Sequence, residues 1–69
     1  MLTDVSSERA IKALKKAGFI VIRDSRKHTV MARENDLITI PRHKRINPFT
    51  IKSIIDDAGL TEEEFKKLL

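Results

Sequence analysis

Two histidines, each within a run of basic side chains, are the residues of this chain best suited to chemistry. His28 ends the run Arg23–His28, and His43 lies within Arg42–Arg45. The unperturbed pKa of histidine lies close to neutral pH, so either side chain could move a proton beside a phosphate that the cations hold. A histidine in either position could also bind without reacting, or be an ordinary surface residue.

RNA is the substrate for which these residue types suffice, because it carries its own nucleophile. A base that removes the proton of the 2′-hydroxyl lets that oxygen attack the adjacent phosphate, and no metal is required. His28 would be such a base, while lysine and arginine stabilise the charge that develops on the phosphate. The cations nearest the two histidines in sequence are Arg26, Lys27, Arg42 and Lys44.

Composition makes other site chemistries less suitable. The chain has no cysteine, which excludes disulfides and thiolate zinc sites. The two histidines are distant in sequence and no third ligand is indicated, so we expect no metal and no cofactor. Glycine is too scarce for a Gly-rich phosphate loop. The only aromatic residues are three phenylalanines, which favours recognition of RNA through phosphate, 2′-hydroxyl and shape rather than base stacking.

Charge is concentrated in the middle of the chain. Residues 23–45 carry seven basic and three acidic side chains, whereas residues 46–69 carry three basic and five acidic ones. A basic stripe of this kind is typical of nucleic-acid binders, although thermally robust proteins are also rich in charged residues. The predicted RNA-binding residues are Arg23, Arg26, Lys27, Arg42, His43, Lys44 and Arg45.

The length of 69 residues predicts one domain, residues 1–69, with a small core and no deep active site. A shallow site favours a polymeric substrate over a small metabolite. The first residues, Met1–Asp4, are acidic and no apolar segment follows, so no signal peptide is indicated. No apolar run approaches the roughly 20 residues of a membrane helix, and we therefore expect a cytoplasmic protein.

The first elements that must position the histidines are a helix and a strand. Apolar residues recur at helical spacing over residues 6–17, with Ser6 as a predicted N-cap and Gly18 as the left-handed residue after the helix. The segment Phe19–Ile22 then predicts a strand that is apolar on both faces. A polar loop, Asp24–Lys27, leads to His28.

Two further strands are predicted at residues 28–33 and 37–40, so that His28 opens the second strand. Glu34–Asp36 is the predicted hairpin turn, because Asn and Asp tolerate positive φ. Pro41 ends the third strand or marks it as an edge strand. Short loops between successive strands predict antiparallel pairing.

The C-terminal third predicts two helices. Asn47 and Pro48 favour a helix start, Gly59 favours its end, and Thr61 has capping-box spacing to Glu64 for a short last helix. The apolar stripe of the longer helix consists of Ile51, Ile54, Ile55 and Ala58. The predicted fold is therefore α+β in the order α-β-β-β-α. Its two long helices should cover one face of a three-stranded antiparallel sheet and leave the other open.

From the first helix onward, the chain resembles the HicA toxins, small RNases of the HicA–HicB toxin–antitoxin systems. The matching segments follow one another in the family's order: Ala13–Phe19, Arg23, His28, Ile40–His43, Pro48–Ile54, Ala58–Thr61 and Phe65. The resemblance implies a fold like that of double-stranded-RNA-binding domains, in agreement with the order of elements above.

The same resemblance implies an mRNA interferase that acts without the ribosome and without a metal, through one essential histidine. That role falls on His28, while Arg23 and His43 also match family positions. The implied partner is a HicB-type antitoxin, which would cover the histidine and the basic surface. One departure is that Arg26 and Lys27 stand where the family usually has Gly-Ser, and Arg lacks glycine's access to positive φ.

Three functions therefore remain open from the sequence. The first is an endoribonuclease that depends on His28, whose activity Arg26 and Lys27 either lower or leave unchanged. The second is a non-catalytic RNA-binding module with the same fold. The third is a protein-interaction domain whose basic face docks an acidic partner.

Overall fold

A computed structural model describes all residues, 1–69, and places three helices beside one sheet. The elements are α1 (Ser7–Lys16), β1 (Ile20–Asp24), β2 (His28–Arg33), β3 (Asp36–Pro41), α2 (Pro48–Asp57) and α3 (Glu62–Leu68). The strands pair antiparallel in the order β1-β2-β3. The predicted α+β fold is confirmed, and it is consistent with that of a double-stranded-RNA-binding domain. None of the helices has both the length and the apolar character needed to cross a bilayer.

The helices begin where the sequence predicts, because each start carries its own cap. The Ser6 hydroxyl accepts a hydrogen bond from the Arg9 N–H at 3.2 Å, and the Asn47 side chain accepts one from Phe49 at 2.8 Å. Thr61 and Glu64 form a reciprocal capping box at the start of α3. Each bond satisfies a first-turn N–H that the helix itself leaves without a partner.

The two longer helices end at glycines with positive φ. Gly18 has φ +97° and Gly59 has φ +71°, a region that L side chains rarely adopt. In both places the next residue, Phe19 or Leu60, donates its N–H to a carbonyl of the last helical turn at 2.9 and 3.1 Å. These bonds complete Schellman endings and direct the chain back toward the core.

The core lies between the helices and one face of the sheet. The sheet contributes Met31, Ile38 and Ile40, and all three are fully buried. Phe19 and Phe65 are buried as their patterning predicts, each worth about 1.5–3 kcal/mol of transfer free energy. The apolar stripe predicted for α2 is buried along its whole length, over Ile51, Ile54, Ile55 and Ala58.

Strand β1 differs from its prediction in both position and environment. It runs from Ile20 to Asp24 and leaves Phe19, which faces the core, before its start. Ile20 and Ile22 are 64% and 54% exposed, although an apolar strand of this kind is usually covered. The physical reason is that Ile20 lies beside Ala32 on the sheet face away from the helices, and that α1 and α2 pack against β3 rather than β1.

The hairpin turn between β2 and β3 also differs in detail. Asp36 already belongs to β3, and Glu34, rather than Asn35 or Asp36, has positive φ, at +53°. A two-residue turn requires positive φ at its first position, which here is glutamate. Pro41 is the last residue of β3, at the edge of the sheet, as predicted.

Candidate nucleic-acid interface

The open face of the sheet, opposite the helices, carries His28 in an ordered arrangement of side chains. Strand register places Arg23 beside Val30 and Val30 beside Thr39, in one row across the three strands. His28 lies two residues before Val30, opposite Pro41, and so shares that face. The row of Arg23, Val30 and Thr39 has His28 on one side. On its other side, on the same face, is an apolar row of Ile20, Ala32 and Leu37.

His28 is held at the start of β2 by Ser25. The Ser25 N–H donates to the His28 carbonyl at 2.9 Å, and the Ser25 hydroxyl donates to the same oxygen at 3.1 Å. The His28 N–H donates back to the Ser25 hydroxyl at 3.2 Å. These bonds fix the backbone of His28 while its side chain remains exposed. The sequence indicates only that Ser25 lies in a polar loop, and its contacts with His28 were not predicted. The available signal was that serine is a typical turn former, here three residues before a strand.

A shallow depression of about 400 Å³ lies beside the histidine. Arg23 is part of its wall, so a cation and the imidazole border the same open space. The depression is not enclosed, as the small size of the chain predicts, and a polymer can lie across it. Its lining residues are Arg23, Asp24, Ser25, His28, Val30 and Thr39.

Arg26 and Lys27 form the exposed tip of the loop before His28. Neither side chain takes part in an ion pair or hydrogen bond, and neither residue has positive φ. This loop therefore does not need glycine's conformational freedom at the two positions where the family usually has Gly-Ser. The Lys27 carbonyl accepts a bond from the Arg42 N–H at 2.9 Å, which joins the loop to the segment after β3.

Two arginines of the second basic run are engaged within the protein. The Arg42 guanidinium contacts the Asp24 carboxylate at 3.1 Å and the Thr29 hydroxyl at 3.0 Å. Thr29 is buried and points to the helix side of β2, so the Arg42 side chain is not on the face that carries His28. Arg45 pairs with Asp4 at 2.9 Å on the exposed surface.

His43 and Lys44 lie near the start of α1, in a different depression from His28. The His43 carbonyl accepts a bond from the Ser7 N–H at 3.0 Å, which fixes this segment to the helix. The second depression measures about 460 Å³ and is lined by Ser6, Ser7, Glu8, Arg42, His43 and Lys44. The structure therefore brings Arg23 and His28 together, and His43 and Lys44 together, as two separate groups.

Arg33 contributes to the positive charge of the middle segment but serves the fold. Its guanidinium donates to the carbonyl of Ala17 at 2.8 Å and to that of Ala58 at 2.9 Å. It also stacks over the Phe19 ring, 4.3 Å from the ring centre. One cation thus neutralises the negative ends of both α1 and α2. Sequence patterning could not assign this role, because the two carbonyls are 16 and 25 residues away.

The basic side chains of the middle segment therefore divide into two groups. Three form ion pairs, namely Arg33, Arg42 and Arg45. Four have no such partner and remain available to a polyanion, namely Arg23, Arg26, Lys27 and Lys44. No three His, Asp or Glu side chains converge as a metal-binding group would.

Comparison with known families matches residues 7–60 to a family described as "HicA toxin of bacterial toxin-antitoxin". The matched range includes every predicted site residue, from Arg23 to Arg45. A search of curated proteins gave no significant match.

Proposed function

The chain belongs to the HicA toxin family, and on that premise we propose that it is an endoribonuclease that cleaves mRNA through His28. The observation that carries the proposal is the position of His28. Its side chain is exposed, its backbone is fixed by Ser25, and it borders the same depression as Arg23. A base and a cation beside an open space are what phosphate cleavage within RNA requires.

In the proposed reaction His28 takes the proton of a ribose 2′-hydroxyl. The 2′ oxygen then forms a bond to the adjacent phosphorus, and the bond from phosphorus to the 5′ oxygen of the next nucleotide breaks. The leaving oxygen takes up a proton from water, His28 releases the proton it took to the solvent, and the products end in a 2′,3′-cyclic phosphate and a 5′-hydroxyl. Proton transfer of this kind contributes about 10²–10⁴-fold to a rate.

Positive charge around His28 would orient the RNA backbone and stabilise the transition state. Arg23 lines the depression itself, and Arg26 and Lys27 extend from the adjoining loop without ion-pair partners. Cations that are not already paired contribute most, because binding a phosphate then breaks no existing contact. Arg42 and Arg45 would first have to exchange Asp24 and Asp4 for the RNA.

The reaction type can be tested from its products. The purified protein, in buffer containing EDTA, should cleave single-stranded RNA and leave cyclic phosphate ends. RNA with one 2′-deoxy nucleotide should resist cleavage after that nucleotide and be cut elsewhere. Cleavage that requires an added metal, or that leaves 5′-phosphate ends, would contradict the proposed chemistry.

A second candidate is an RNA-binding module without cleavage activity. The observation that favours it is the pair Arg26 and Lys27, which adds two unpaired charges where the family usually has Gly-Ser. This candidate predicts binding that weakens steeply with salt, by roughly one unit of log–log slope per phosphate contacted, and no cleavage. Cleavage gained on replacing Arg26 and Lys27 by Gly and Ser would support the second candidate.

We also propose a HicB-type antitoxin as partner and the cytoplasm as the site of action. A toxin of this family implies a paired antitoxin. The open face supports a protein interface because it carries an apolar row directly beside the row that contains Arg23. The apolar row consists of Ile20, Ala32 and Leu37. An antitoxin docked there would cover the depression that contains His28.

A further inference from the structure

The loop between β1 and β2 is tied at both of its ends to one residue, Arg42. At the first end, the Arg42 guanidinium pairs with the Asp24 carboxylate at 3.1 Å. At the other end, the Arg42 N–H donates to the Lys27 carbonyl at 2.9 Å. Asp24 is the last residue of β1 and Lys27 directly precedes His28, so the two contacts enclose the whole loop that leads to the histidine.

A buried hydroxyl gives the contact between Arg42 and Asp24 a fixed geometry. Thr29 is fully buried, and its hydroxyl donates to Asp24 at 2.8 Å and accepts from the Arg42 guanidinium at 3.0 Å. Because a buried hydroxyl without partners is costly, Thr29 favours one arrangement of the carboxylate and the guanidinium. The three groups therefore form a connected network, whereas an isolated surface ion pair would contribute little.

The network of Asp24, Thr29 and Arg42 lies on the opposite face of the sheet from the His28 side chain. Strand register places Asp24 beside Thr29 and Thr29 beside Ile40, and the buried Thr29 and Ile40 face the helices. His28 precedes Thr29 along β2, so its side chain points to the other face. An RNA phosphate beside the imidazole would therefore be separated from the Arg42 guanidinium by the sheet. Arg42 can then affect the reaction only through the backbone of the loop.

The loop that the network holds also forms part of the depression beside His28. Asp24 and Ser25 both line that depression. Ser25 in turn bonds the backbone N–H and carbonyl of His28. The connection from Arg42 to the histidine is therefore continuous on both sides of the loop, through Asp24 and Ser25 on one side and through Lys27 on the other.

We propose that Arg42 and Asp24 are positioning residues for RNA cleavage, which together hold the loop before His28 in the geometry that the reaction needs. The proposal rests on the proposed function, because it assumes that His28 acts on RNA. The basic run around Arg42 predicts instead that this arginine binds RNA directly. The two roles differ in what Asp24 does: it supports cleavage if it holds the loop, but it competes with RNA if Arg42 binds a phosphate.

The test is steady-state cleavage of one RNA oligonucleotide by Asp24→Ala, Arg42→Ala and the double variant, after circular dichroism has shown equal folding. Each single substitution should lower kcat about tenfold with KM little changed, because a small displacement of a reacting group is costly. The double variant should be within about twofold of the slower single variant, because both substitutions break the same contact. Asp24→Asn, which keeps an oxygen for the Thr29 hydroxyl but no charge, should lose less activity than Asp24→Ala.

Asp36→Ala is the matched control, since it also removes one carboxylate and its contact with an arginine, Arg33, but at the opposite end of the sheet. Its kcat should stay within about twofold of the parent, and any fall in its KM measures the effect of one charge on RNA binding. An unchanged kcat in Asp24→Ala, with a KM lower than in Asp36→Ala, would overturn the positioning role and show that Arg42 binds RNA.

Hydrogen exchange measured by NMR gives a readout that does not depend on cleavage. The Ser25 N–H, which bonds the His28 carbonyl at 2.9 Å, should exchange at least about tenfold faster in Asp24→Ala than in the parent. The Phe19 N–H, which bonds Leu14 at the end of α1, should keep the parent rate. Parent-rate exchange at Ser25 would overturn the positioning role alone. Absence of cleavage by the parent would overturn the proposed function, and this role with it.

Discussion

At the scale of single residues, the activity proposed for His28 depends on the neighbouring residues as much as on the chemistry of its imidazole. Ser25 fixes its backbone through the hydroxyl and the N–H, and Arg23 supplies a cation to the same depression. Histidine and its flanking cations could be identified from the sequence, because their types and spacing are visible there. The Ser25 contacts and the engagement of Arg42 by Asp24 depend on how the loops fold, and they could not be predicted from spacing.

Ser25→Ala is expected to slow RNA cleavage without unfolding the protein. The substitution removes both hydrogen bonds of the hydroxyl with His28 and leaves one backbone bond. Because small displacements of a reacting group are costly, kcat should fall roughly tenfold while KM is little changed. Steady-state kinetics on an RNA oligonucleotide provide the measurement, and Ser25→Thr, which retains a hydroxyl, should recover much of the rate. Equal kcat in Ser25→Ala would show that Ser25 does not position the histidine.

At the scale of elements, prediction from sequence succeeded where the signals are local. The predicted helix limits agree with the observed ones within a residue or two, because they are set by local signals. These signals are the caps at Ser6, Asn47 and Thr61 and the glycines after α1 and α2. Strand β1 was less well predicted because its apolar residues suggested burial, whereas Ile20 lies on the face away from the helices and the helices pack against β3. Which strand a helix covers is decided by packing across the whole chain, and a five-residue pattern does not contain that information.

Arg33→Lys is expected to lower the free energy of unfolding by about 1–3 kcal/mol. Lysine keeps the charge but cannot donate in two directions to Ala17 and Ala58 while stacking on Phe19. Urea unfolding measures the difference, and Arg26→Lys, at an exposed and unpaired position, should change stability by less than about 0.5 kcal/mol. Equal stability of parent and Arg33→Lys would mean that the guanidinium does not join the two helix ends.

The capping box of α3 predicts a pH dependence of stability. Hydrogen bonds from the Thr61 N–H and side chain lower the pKa of Glu64 below its ordinary value, with a small further contribution from Lys67. A carboxyl whose pKa is lowered in the folded state stabilises the fold above its unfolded pKa, and this contribution is lost as the pH falls through the folded pKa. Glu64→Gln should therefore be less stable than the parent at neutral pH and approach the parent's stability once the pH has fallen below the lowered pKa of Glu64. A difference in unfolding free energy that stays constant with pH would contradict this role.

At the scale of the whole molecule, the two faces of the sheet have different tasks. One face is closed by the helices and holds the core, and the other presents His28, Arg23 and an apolar row to the solvent. An exposed apolar patch beside charged residues is typical of a surface that binds another protein. The same face would thus bind RNA or the antitoxin, but not both at once.

Ile20→Asp is expected to abolish inhibition by the HicB-type antitoxin while leaving RNA cleavage intact. Ile20 is 64% exposed in the apolar row, so the substitution should cost little folding free energy, but it would bury a charge in the proposed interface. Titration of cleavage with the antitoxin measures the effect. Phe49→Asp, an equally exposed apolar position on α2, serves as the control and should remain inhibited. Full inhibition of Ile20→Asp would place the antitoxin elsewhere.

The role of His28 as the base in RNA cleavage is tested most directly by single-turnover cleavage of one RNA in EDTA. The parent, His28→Ala and His43→Ala are compared after circular dichroism has shown equal folding. The rate should fall by about 10²–10⁴-fold in His28→Ala. His43→Ala, which removes the histidine of the other depression, should stay within about tenfold of the parent. Cleavage by folded His28→Ala at the parent rate would show that His28 is not the base.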